Sequence, residues 1–92
     1  MEFIVIVRLS DDFTKKLNTY QGKEGLQIKG FNELNPNHPY LHSAINYRIF
    51  YTKNVSEYST YEITFGNPKH PEYQKEFTIP SNQEYLEISF PN

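Results

Sequence analysis

The sequence predicts an α+β domain: one curled antiparallel β-sheet of five to six strands, ending in a C-terminal meander, with one short N-terminal helix packed on its concave face. Three observations carry this expectation. A continuous β-branched run, Phe3-Ile4-Val5-Ile6-Val7, opens the chain. A single helical pattern follows it. From residue 45 onward, four runs alternate with period two and are separated by short turns, which joins neighbouring strands as antiparallel hairpins. The 92 residues suit a single domain over 1–92.

Each element has its local reason. The run at Phe3–Val7 reads as a central strand covered on both faces. Ser10 offers a helix N-cap, and Asp11 and Asp12 place negative charge at the positive end of the helix dipole. Phe13, Leu17 and Tyr20 fall on one helical face, directed at the strand face that carries Phe3, Val5 and Val7, and Gly22 is a natural stop. Leu26-Gln27-Ile28-Lys29 alternates as a short strand ended or bulged by Gly30. Residues 32–43 read as loop, because Asn32, Asn35, Pro36, Asn37 and Pro39 crowd it.

The four later strands span 45–53, 60–65, 73–79 and 84–90. In the second, Tyr61, Ile63 and Phe65 share a face. In the third, Phe77 and Ile79 point inward; in the fourth, Leu86, Ile88 and Phe90 do, which leaves Tyr85, Glu87 and Ser89 outside. The strand at 45–53 is bulky on both faces, so its outer face is either covered or sticky.

Composition removes whole classes of chemistry. There is no cysteine, hence no disulfide, thiol nucleophile or thiolate metal site, and a reducing compartment, the cytoplasm, is expected. The opening apolar run is too short for a membrane span or a signal peptide. Nine Lys+Arg against eleven Asp+Glu, well mixed, disfavour a general grip on nucleic acid. The four glycines, at 22, 25, 30 and 66, make no phosphate loop, and no serine nucleophile elbow is present. The three histidines, His38, His42 and His70, read as surface loop residues, so no metal and no cofactor is expected.

One phrase occurs twice: Asn35-Pro36-Asn37-His38-Pro39-Tyr40 and Asn67-Pro68-Lys69-His70-Pro71-Glu72-Tyr73. Turn chemistry accounts for both. The alternative places the two loops at one end of the sheet, presenting His38 and His70 to a common partner. Tyrosines among Asn, Glu and Ser make up the usual protein-binding patch. The candidate contact residues are therefore Tyr85, Tyr73 and Tyr61, with Glu87 and Glu76 at the rim. Tyr61 is the weakest, because it shares a face with Ile63 and Phe65.

Asn46-Tyr47-Arg48-Ile49-Phe50-Tyr51, followed by Ile63-Thr64-Phe65-Gly66 and His70-Pro71-Glu72-Tyr73, resembles the end of a RelE-type ribonuclease toxin. The resemblance implies RNA cleavage by Arg48, His70 and Tyr73. The leading expectation is instead a small binding module that occludes the surface of a partner protein, as an inhibitor, immunity or phage anti-defence protein does. A third reading is a structural subunit that self-assembles, as a homodimer or larger, through its sheet edges.

Overall fold

The computed structural model describes residues 1–19, 25–34, 46–66 and 68–92, with side chains in the helix described as far as Lys16. In chain order the elements are β1 (Phe3–Leu9), α1 (Asp11–Thr19), β2 (Leu26–Ile28), β3 (Asn32–Glu33), β4 (Tyr47–Thr52), β5 (Thr60–Phe65), β6 (Gln74–Thr78) and β7 (Tyr85–Phe90). The α+β class is as the sequence predicts: mostly strands and one short helix. No described helix is long and apolar enough to cross a membrane.

The single curled sheet and its C-terminal meander are not what forms. The strands divide into a four-stranded sheet, β3-β4-β1-β7, and a three-stranded sheet, β2-β5-β6. Only β5 and β6 pair as a hairpin within the expected meander. The chain changes sheet between β4 and β5 and again between β6 and β7. β7 returns beside β1 in parallel, with Val5 opposite Leu86 and Val7 opposite Ile88, while β4 flanks the other edge of β1 antiparallel.

Burial explains this arrangement. One flat sheet would expose a broad apolar face that a nine-residue helix cannot cover. Folding the chain into two sheets lets each cover the other. Phe3, Val5 and Val7 of β1 and Phe50 of β4 join Ile63, Phe65 and Phe77 from the other sheet in one buried cluster. The two sheet-changing connections contribute as well. Val55 and Ile79 are buried within them, and Tyr58 N–H donates to the Ile79 carbonyl at 2.9 Å. Tyr58 and Asn82 take positive φ there, of 65° and 58°, as tight reversals require.

The strand β3 lies in the stretch that reads as loop. It has two polar residues and no apolar alternation, so only its pairing with β4, Asn32 opposite Tyr51, makes it a strand.

The helix packs on the strands through Phe13. Its cap is as the sequence predicts: Phe13 N–H donates to Ser10 Oγ at 3.2 Å, and Thr14 N–H and Oγ1 both donate to the Ser10 carbonyl at 2.9 Å. Phe13 enters the core, edge-on to Phe65 (5.2 Å) and Phe90 (5.1 Å). The Leu17 side chain, Tyr20 and Gly22 lie outside the described residues.

Phe13→Ala should therefore cost about 3–5 kcal/mol, as for a buried aromatic whose cavity cannot collapse. Urea denaturation monitored by circular dichroism measures this directly; a loss under about 0.5 kcal/mol would make the helix peripheral.

Candidate functional site: the outward face of the four-stranded sheet

Successive side chains on a strand point to opposite faces. In β1 and β4 both sets are bulky, so filling the core with one set commits the other to the outside. The register aligns the outward set in rows. Ile4 of β1 lies between Tyr51 of β4 and Tyr85 of β7, and Ile6 lies between Ile49 and Glu87. Arg8 lies between Tyr47 and Ser89. Beyond β3, Leu34 N–H donates to the Ile49 carbonyl at 2.8 Å, which extends the Ile6 row by one more apolar side chain.

The result is an apolar patch of isoleucine, leucine and tyrosine, with Asn32, Glu87, Arg8 and Ser89 in the same outward rows. Ile4, Ile6, Ile49, Tyr47 and Tyr51 are half-buried by one another, whereas Leu34 and Tyr85 are 38% and 59% exposed. No described element covers this face.

One end of the face is bordered by carboxylates. Tyr51 donates its hydroxyl to Glu2 Oε1 at 2.9 Å, which fixes that carboxylate beside Ile4. This hydrogen bond raises the Tyr51 phenol above its ordinary value of 10.0, because the proton that ionisation removes is the one being donated; burial and the Glu2 charge act in the same direction. Next to the pair is a recess of about 620 Å³, lined by Glu2, Glu57, Glu84, Asn82 and Gln83 with Ile4 and Tyr51.

A larger opening of about 960 Å³ lies where the chain crosses between β2 and β3, beside Phe31 and Tyr61. The two carboxylates along that opening each meet a cation of the same chain. Glu33 meets Arg48 at 2.9 Å, and Glu62 meets Lys69 at 3.8 Å.

The residues singled out in the sequence do not converge on one surface. Tyr85 and Glu87 lie on the face just described, on the outward side of β7 as their alternation requires. Tyr61 is half-buried, edge-on to Phe31 at 5.2 Å and stacked on Phe77. Tyr73 packs edge-on against Phe13 and Phe65, and its hydroxyl takes a hydrogen bond from Lys16 Nζ. The Lys16 ammonium approaches the hydroxyl end of that ring, so this contact is a hydrogen bond more than a cation–π pair. Glu76 is on the opposite sheet, paired across from Glu62. His70 stacks on Phe65 at 5.1 Å. His38, and with it the question of a site shared by the two histidine-proline loops, lies outside the described residues, as does His42.

The ribonuclease trio is similarly divided. Arg48 is bound to Glu33 in the four-stranded sheet, while His70 and Tyr73 pack around Phe65 of the other. Among the described residues, no cluster of three or more His, Asp or Glu could hold a metal ion.

Sequence reasoning missed Ile4, Ile6, Leu34, Ile49, Tyr51 and Glu2 as members of the exposed face. The double-sided bulk of the 45–53 strand was the signal for it. The opening strand carries the same signal, but a continuous apolar run equally suits a strand covered on both faces.

The Tyr51–Glu2 contact has a measurable consequence. The stability it contributes is present below the ordinary tyrosine value and is lost as the pH rises through the raised one. In a ¹³C NMR titration of ring-labelled tyrosine, Tyr51 should ionise above 10.0, and Glu2→Gln should bring it back toward that value.

The chain matches no protein-family model, no curated protein and no solved structure, so the reading of this face rests on its own chemistry.

Proposed function

We propose that the chain is a protein-binding module that occludes part of a partner protein's surface with the outward face of β3-β4-β1-β7, in the manner of an inhibitor or immunity protein. The carrying observation is the continuous row structure of that face: Leu34, Ile49 and Ile6 in one row, with Tyr51, Ile4 and Tyr85 in the next. An apolar sheet face costs free energy in water, and a partner that covers it recovers that cost. Tyrosines at its margin add contact area with little loss of side-chain freedom. The cysteine-free composition fits action in the cytoplasm.

Tyr85 is the most informative position, being exposed at the margin of the face. Tyr85→Ala should leave folding stability within about 0.5 kcal/mol of the parent, while weakening a complex retained from a host lysate by at least about 2 kcal/mol. Unfolding of the variant would mean that the ring is buried. Expression in a naive bacterium separates this reading from RNA cleavage. Growth should continue, and an arrest abolished by Arg48→Ala with His70→Ala would replace the binding role by a ribonuclease.

A further inference from the structure

The charge around the face says what kind of surface it takes. Glu2, Glu57, Glu84 and Glu87 border or line it, against three positive groups: Arg8, Lys53 and the amino group of Met1, which shares the recess. Glu57, Glu84 and Glu87 have no ion-pair partner among the described residues, and Glu2 meets only the neutral Tyr51 hydroxyl. The three glutamates of the recess stand beside Ile4 and Tyr51, so the acidic end is continuous with the apolar rows.

A second copy of this chain would set these carboxylates against an identical excess of carboxylates, which costs free energy as an interface desolvates. A basic partner meets both features at once. Its apolar centre covers the isoleucines, and a flanking cation gains charge-assisted hydrogen bonds from the recess. We infer that the face takes a protein segment with an apolar centre flanked by arginine or lysine, one of whose cationic side chains enters the recess bounded by Glu2, Glu57 and Glu84. This rests on the binding role proposed above.

Two short synthetic peptides test it. Both carry an alternating Leu/Thr centre; one is flanked by arginine and the other by citrulline, which keeps the shape and removes the charge. Titrated into the ¹⁵N-labelled full chain, the arginine peptide should shift the amides of Ile4, Ile6, Ile49 and Tyr85 and bind at least about tenfold more tightly than the citrulline peptide. Glu57→Gln with Glu84→Gln should erase that preference, and both side chains are exposed, so the fold is retained. Added salt should weaken the arginine peptide selectively.

Equal binding of the two peptides at this face would overturn the basic partner and leave the binding role standing. Shifts elsewhere, or none with either peptide, would overturn both. Sedimentation of the free protein as a dimer that Ile6→Lys dissociates would assign the face to a second copy and overturn the inference.

Discussion

Strand β1 has five consecutive apolar residues and hydrogen-bonded neighbours on both edges, and the other strands arrange themselves around those two facts. Its edges are taken by β4 and β7, and β3 holds the other edge of β4, so β5 has no edge of β4 to join. β5 pairs instead with β2 and β6 in a second sheet. That second sheet supplies Ile63, Phe65 and Phe77 to cover Phe3, Val5, Val7 and Leu9. The same strand thereby sends Ile4 and Ile6 outward, where no described element covers them. Core and exposed face are two outcomes of one sequence run.

The end of the core beside α1 shows why several chemically suggestive side chains act structurally. Phe13, Phe65, Phe90 and Tyr73 meet edge-to-face there, and His70 stacks on Phe65. Gly66 makes this close approach feasible. Its φ of +87° suits glycine, and a Cβ there would fall 2.5 Å from His70 Cδ2. Tyr73 and Lys16 satisfy each other across the helix–sheet contact. In the second copy of the repeated Asn-Pro-x-His-Pro phrase, the histidine and the tyrosine both pack on Phe65.

The two open surfaces differ in how their charges are arranged. Around the opening between β2 and β3, Glu33 and Glu62 each meet a cation of the same chain. Around the outward face, carboxylates outnumber cations and stand beside apolar rows. Internally matched charge favours the fold, whereas unmatched charge beside uncovered apolar surface favours a complementary surface from outside. This contrast, more than the number of tyrosines, places the proposed contact surface on the four-stranded sheet.

Local pattern determined the elements. Period-two alternation placed the inward residues of β5, β6 and β7, including the outward position of Tyr85, and Ser10 was legible as the helix cap because capping is a contact within one turn. Pairing was not legible. Alternation says which side chains share a face but not which strand lies alongside, so the parallel β1–β7 pair, the two-residue β3 and the division into two sheets depended on contacts between residues far apart in the chain. The candidate face was half legible for the same reason. Bulk on both sides of β4 could be read from its residues. That Ile4, Ile6, Ile49 and Leu34 line up beside Tyr85, with Glu2 tied to Tyr51 at their end, was decided only when tertiary pairing set four strands in register.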